Sequence, residues 1–310
     1  MPTVPLRVPL AVPPFEAAFA RVRDELEVPT DFPPEVTAEA EAVAARGPEV
    51  PPGSTVRDRV DARDVPFVAI DPPGSRDLDQ AFHAERRGTG YRVRYAIADV
   101  AAFVHPGTAV DRESFVRGVT LYLPDGRAPM LPAVLGEGAA SLLPDVERPA
   151  LVWTIDLDSG GERQSVSLVR ATVRSRAALG YPEVQARVDA GTAEEPLVLL
   201  REVGTLRRAL EAARGGISLD LPSQEVVPEP GGGYGLRYER QLPVEQWNEQ
   251  ISLLTGMEAA TVMLDAGVGI LRTLPAAEPE VVSRLERTAR ALGVAWPDGA
   301  SWGEVVRGLD

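Results

Sequence analysis

The sequence predicts an α+β protein with a small helical region at its N-terminal end, and three observations predict it. Tyr91 to Val100 (YRVRYAIADV) sets Tyr91, Val93 and Tyr95 against Arg92 and Arg94, the two-residue period of a half-buried strand, and then turns continuously apolar. Val68 to Ile70 is a short apolar run halted by Asp71-Pro72-Pro73, which reads as a buried strand ending in a loop. Trp247 to Leu264 carries Ile251, Leu254, Met257 and Met263 along one side of a long helix, and VGTLRRALEAARGG is a helix closed by Gly215 and Gly216. With 310 residues and 44% hydrophobic composition, the chain has enough apolar surface for a sizeable core.

Taken in order, residues 1–64 are rich in Pro, Ala and Glu. Phe15, Ala18, Phe19, Val22 and Leu26 recur at helical spacing, Glu35 to Arg46 reads as a second helix, and Gly47 to Ser54 as a linker. This region is expected to be a packed appendage to a domain spanning 65–310. His105-Pro106-Gly107 is a turn and Asp111 to Gly118 a short helix, so His105 is a turn residue, while His83 is expected on a strand surface. Asp99, at the end of the apolar run, is either a hydrogen-bonded structural residue or a further carboxylate near the acidic loop. Pro228 to Gly235 (PEPGGGYG) reads as a hairpin loop, and Arg207, Arg208 and Arg214 as a solvated helix face.

Composition removes several chemistries. There are no cysteines and 2 histidines, which excludes thiolate schemes and leaves no basis for histidine metal sites or a Ser-His-Asp triad. No apolar run approaches the roughly 18 residues that a spanning helix needs, and the start is too proline-broken for a signal peptide, so the expectation is a cytoplasmic protein with no membrane association. The net charge of -14 argues against a generally basic nucleic-acid surface, and all 32 cationic residues are Arg.

The chemistry concentrates in FVAIDPPGSRDLDQA, residues 67–81, where Asp71, Asp77 and Asp79 share one short loop. Carboxylates held that close repel by roughly 4 kcal/mol per 4 Å pair at an effective dielectric of about 20. Such a cluster either gathers a cation or is a solvated acidic turn. If a cation, oxygen ligands with no Cys or His beside them favour Mg²⁺ or Mn²⁺ over zinc.

AIDPPGSRDLDQA, YAIADVAAFVHPGTAVDRE, TLYLPDGRAPMLP and SLLPDVERPAL, in that order, resemble successive motifs of the ribonuclease II (RNB) family of exoribonucleases. The likeness continues more loosely through RSRAALGYPEVQ, ARGGISLDLP and the helix around WNEQISLLTGMEAATVML, covering about residues 60–275. It implies a mixed-sheet RNB-type catalytic domain around a deep channel, and hydrolysis of single-stranded RNA from the 3′ end to nucleoside 5′-monophosphates with Mg²⁺ or Mn²⁺. By the same resemblance Asp71, Asp77 and Asp79 are metal ligands, with Asp79 ranked first as a catalytic residue. Tyr122 matches an aromatic that stacks on a base, Tyr181 a tyrosine close to the 3′-terminal nucleotide, and Glu249 a glutamate near the substrate's end.

The chain departs from that pattern in three places. The family's acidic motif ends in two aspartates, and here Asp79 is followed by Gln80, whose amide oxygen can ligate a hard cation but brings no charge. Leu219 stands where the stacking partner of Tyr122 is a Phe, leaving apolar contact without a π-face. The sequence matches neither the later part of the family's catalytic domain nor its flanking RNA-binding barrels. A further segment or a protein partner is then needed to complete the fold, and RNA affinity should be poor and strongly salt-dependent. The alternative to an active exoribonuclease is a catalytically impaired or silent RNA-binding relative.

Overall fold

The computed structural model describes residues 15–29, 31–54, 58–217, 222–229, 233–273, 275 and 277–308. Two helices come first, α1 (Phe15–Glu25) and α2 (Pro34–Arg46), followed by β1 (Val60–Asp61), β2 (Val68–Asp71), β3 (Gln80–Arg87) and β4 (Gly90–Ala98). A helix α3 (Ala109–Arg117), the short hairpin β5 (Leu121–Leu123) and β6 (Gly126–Ala128), and a single π-type turn at Leu135–Ala139 lead into β7 (Glu147–Leu157), β8 (Arg163–Arg174) and β9 (Ala177–Gly180). The remainder is α4 (Tyr181–Asp189), α5 (Glu195–Ala213), the hairpin β10 (Ser223–Glu229) and β11 (Gly233–Glu239), α6 (Pro243–Ala266), α7 (Pro279–Ala291) and α8 (Trp302–Arg307).

Seven strands form one mixed sheet in the order β1-β8-β7-β4-β3-β2-β9. Its centre is antiparallel, while both edges pair in parallel, β1 with β8 and β2 with β9. The alternation read in the sequence sets the two faces: Tyr91, Val93 and Tyr95 point into the larger core with Phe82, Ile155 and Leu157. That face is covered by α4, α5 and α6 through Val184, Leu200, Val203, Trp247, Ile251 and Leu254. The opposite face buries smaller residues, Ala69, Ala81, Ala96, Ala150 and Ala171, with Phe67, Leu78 and Leu142.

The N-terminal helices are held separately. In α2, Val36, Ala40 and Val43 pack on Phe103, Val110 and Leu135, so this helix shares a core with α3 and the π-type turn. In α1, Phe15 and Phe19 meet Tyr234 of β11 edge-on, with ring centroids 5.3 and 5.1 Å away. Arg117 ties the region together: its guanidinium lies 3.7 Å over the ring of Phe32 and donates to the carbonyls of Asp31 and Pro129. No described helix is long and apolar enough to cross a membrane.

Three sequence expectations change. His83 is 7% exposed, because β3 is an interior strand covered on both faces, and burial lowers its pKa. Arg207 is 3% exposed, with Nη1 donating to the Gly161 carbonyl in the β7–β8 turn, because α5 lies against that turn. Met257 is not on the covered side of α6: Ile251 and Leu254 are buried, and Met257 is exposed. The hairpin expected around Pro228 to Gly235 is present as β10 and β11, with residues 230–232 outside the described set.

The contact of α5 with α6 depends on Gly204, where an added Cβ would lie 2.5 Å from Trp247 Cβ and 2.7 Å from its Cα. The backbone of α6 cannot yield without lifting Ile251 and Leu254 from the sheet. Gly204→Ala is therefore expected to destabilise the protein by about 1–3 kcal/mol despite alanine's better helix propensity, as measured by urea unfolding.

Candidate active site

Asp71 is the last residue of β2, paired in register with Gly180 at the end of β9. Pro72, Pro73 and Gly74 then turn the chain, with the Ser75 N–H donating to the Pro72 carbonyl at 3.1 Å and Gly74 in the left-handed region at φ 87°. Beyond the turn, Asp77-Leu78-Asp79 is extended chain whose middle residue faces the core. Leu78 is 2% exposed beside Leu142, so its two neighbours face outward together.

This loop is fixed by buried hydrogen bonds. Ser141 Oγ accepts from the Leu78 N–H at 3.0 Å and donates to the Arg76 carbonyl at 2.6 Å. The Leu142 N–H donates to the Leu78 carbonyl and the Ala98 N–H to the Asp79 carbonyl. Asp71, Asp77, Asp79 and Gln80 consequently line one cavity of about 550 Å³, whose other walls include Tyr122, Arg127, Glu137, Tyr181 and Asn248.

The electrostatics match crowded, half-buried negative charge. Burial, reinforced by the charges of Asp77 and Asp79 and opposed by a hydrogen bond from Ser75, pushes the Asp71 carboxyl up to about 6. Burial and the charge of Asp77 push Asp79 up as well. Asp77 accepts from Arg127 Nη1 at 2.7 Å. Among the described residues, no three Asp, Glu or His side chains converge closely enough to enclose a metal ion as they stand. The donors still fit a hard cation in kind: all are oxygens, and the raised pKa values of Asp71 and Asp79 mark negative charge that its surroundings do not offset.

The other anticipated residues divide. Tyr122, on β5, stands at the cavity rim with 74% of its surface exposed. Tyr181, the first residue of α4, lines the inner wall, where its hydroxyl accepts from Asn248 Nδ2 at 3.3 Å. Glu249 is exposed and does not line the cavity; Asn248 does, since one helical step of about 100° turns the next side chain away. Leu219 lies outside the described residues. Asp99 is 1% exposed and does not join the cavity, facing Arg59 and Arg170 at 3.7 and 3.9 Å.

Gln80 opens β3, and its Oε1 accepts from the Tyr95 hydroxyl and from Ser252 Oγ, the latter at 3.1 Å. Ser252 Oγ also lies 2.9 Å from the Tyr95 oxygen, so β3, β4 and α6 meet in a closed triangle of polar atoms. Both lone pairs of that amide oxygen are engaged, and ligation of a metal by Gln80 would require one of these bonds to break. Arg127, Glu137, Asn248 and Ser252 were not singled out from the sequence, and Tyr95 only as an inward-facing strand residue. Only Arg127, five residues after Tyr122 and paired opposite it across the hairpin turn, left a local signal.

The fold and cavity define an α/β domain with an oxygen-rich acidic site where a sheet strand ends. The family model described as RNB domain matches residues 59–300, and the chain belongs to that family. Exosome complex exonuclease RRP44 homolog A of Arabidopsis thaliana is 34% identical over 247 residues, 76% of this chain and 26% of that protein. Ribonuclease R of Escherichia coli strain K12 is 38% identical over 210 residues, 65% of this chain and 25% of that protein. Mycoplasma genitalium RNase R, solved in complex with double-stranded RNA, shares the fold with a TM-score of 0.82 at 21% identity, covering 94% of this chain and 53% of that one. The chain thus spans about a quarter of the length of the curated relatives it matches.

The elevated Asp71 pKa carries a stability signature. The folded carboxyl, at about 6, holds its proton more tightly than the ordinary value of 3.8, so ionisation opposes folding above that range and ceases to do so as pH falls through it. Asp71→Asn is expected to raise the melting temperature of the protein in EDTA at pH 8, with most of the gain gone by about pH 4. Thermal unfolding across that range measures it, and a gain that persists undiminished at pH 4 excludes the electrostatic cause.

Proposed function

We propose that this chain is the acidic, catalytic part of a divalent-metal-dependent 3′-to-5′ exoribonuclease that hydrolyses single-stranded RNA to nucleoside 5′-monophosphates by a two-metal mechanism. The observation that carries the reading is the presence of Asp71, Asp77 and Asp79 on one cavity, held there by a core leucine and a buried serine against their mutual repulsion. Family membership and relatives named as exonucleases and Ribonuclease R support it.

Asp71, Asp77 and Asp79 would hold Mg²⁺ or Mn²⁺, with Gln80 as a weak fourth donor. When bound there, such ions neutralise a phosphodiester and lower the pKa of the attacking water. The chain's own side chains account for the rest of the site. Tyr122 offers an exposed ring at the rim, and stacking a base on such a ring is worth roughly 1–3 kcal/mol. The Tyr181 hydroxyl, oriented by Asn248, supplies a hydrogen bond at the inner wall where a terminal nucleotide would sit.

The test is incubation of the full chain with a 5′-labelled oligoribonucleotide and Mg²⁺ or Mn²⁺. A ladder shortening from the 3′ end is expected, lost on addition of EDTA and in Asp79→Asn. Cleavage that persists in EDTA would sink the proposal.

A second reading, a silent RNA-binding relative, is favoured by one observation: Gln80 replaces a carboxylate and its oxygen is already taken by Tyr95 and Ser252. Such a protein would retain oligoribonucleotide binding while showing no shortening with either ion, and Tyr122→Ala would weaken that binding by about 1–3 kcal/mol in a fluorescence-anisotropy titration.

A further inference from the structure

Arg127 joins two acids that come from separate parts of the chain. It lies on β6, opposite Tyr122 in the β5–β6 pairing. Its Nη1 donates to Asp77 Oδ2 at 2.7 Å and its Nη2 to Glu137 Oε1 at 2.5 Å, so one guanidinium fork holds the acidic loop with one prong and the π-type turn with the other. These three side chains also wall a small recess of about 120 Å³, shared with Asp79, that opens beside the main cavity.

The arrangement contributes little to holding the fold together. The side chains of Arg127, Asp77 and Glu137 are 31%, 31% and 26% exposed, a setting in which ion pairs add little stability. The loop that carries Asp77 is anchored independently through Leu78 and Ser141. What the arrangement does specifically is place a fixed positive charge on a carboxylate oxygen at the cavity.

We propose that Arg127 is a tethered cation that competes with a divalent metal ion for Asp77, and so sets the metal affinity of the site. The inference rests on the reading of Asp77 as a metal ligand. An Asp77 oxygen engaged by Nη1 has less electron density to offer a hard cation, and the unit positive charge beside it repels a second cation. Metal entry is then an exchange in which Asp77 leaves Nη1 while Nη2 stays on Glu137. Glu137 is a positioning residue that keeps the displaced guanidinium at the cavity wall. As the site stands, the Arg127 guanidinium holds the Asp77 oxygen at 2.7 Å on the same cavity that Asp71 and Asp79 line.

The experiment is Mn²⁺ binding to the full chain at pH 8, followed by titration calorimetry and independently by water-proton relaxation, neither of which requires turnover. Arg127→Gln, which keeps polar bulk but removes the charge, is expected to bind Mn²⁺ about tenfold more tightly than the parent chain. Arg127→Lys, which keeps the charge, should return to within about threefold of the parent. Weaker binding by Arg127→Gln, or equal tightening by the Lys and Gln variants, overturns the proposal. The two layers separate cleanly: identical finite affinities in the parent and Arg127→Gln refute the competition and leave the metal site standing, whereas no Mn²⁺ uptake by either at millimolar concentration refutes the metal site and the competition with it. Melting of each variant in EDTA confirms that the comparison is between folded proteins.

Discussion

The site depends on one opposition: carboxylates that repel each other are anchored by uncharged groups that do not let them part. Leu78 is the anchor, an aliphatic side chain buried between two outward-facing aspartates. Ser141 completes it by meeting the backbone of the loop from both sides. Neither residue bears charge; Leu78 forms part of the cavity wall and Ser141 lies behind it. Apolar burial of a leucine is worth roughly 1.5–3 kcal/mol, comparable to the repulsion it must resist after solvent screening. The functional surface is thereby held under tension by the core, and Asp71 and Asp79 register that tension by keeping their protons to higher pH.

Much of this was legible in the sequence because it is local. The stop of β2 at Asp71, the inward set of Tyr91, Val93 and Tyr95, and the reach of α6 all follow from period and punctuation within a few residues. The family resemblance supplied the mixed sheet, which periodicity alone does not dictate. What escaped was set by tertiary contact. Arg127 meets Asp77 across 50 residues and Glu137 through a π-type turn with no sequence signature, and Gln80 meets Ser252 across 172 residues. The same limitation misplaced His83 and Arg207: polar side chains were assigned to the surface by type, and interior strands and a turn packed on α5 enclosed them. Glu249 itself stands outside the cavity lining, with Asn248 one helical step before it on the wall.

The charge distribution bears on the same point. The cations of this chain of net charge -14 are all arginines, which leaves His83 and His105 as the side chains that can gain positive charge near neutrality. Guanidinium forks are spent on carboxylates across the molecule, as at Arg92 on Asp156 and Arg63 on Asp61 and Glu147, and again at the cavity. At the acidic cavity Arg127 pairs with Asp77 and Glu137, while the raised pKa values of Asp71 and Asp79 mark carboxyls left unmatched.

The parallel pairing of β2 with β9 has a consequence for how the molecule comes into being. Asp71 and Gly180 are neighbours in the sheet but lie more than a hundred positions apart along the chain, and Asn248 follows later still. During synthesis the acidic segment emerges early and must wait, uncovered, for partners supplied much later, and contacts between such distant segments form slowly. The acidic face is thus among the last parts of this protein to mature: a nascent chain halted before residue 177 has its acids and β3 beside β2, but not the strand β9 that pairs with Asp71.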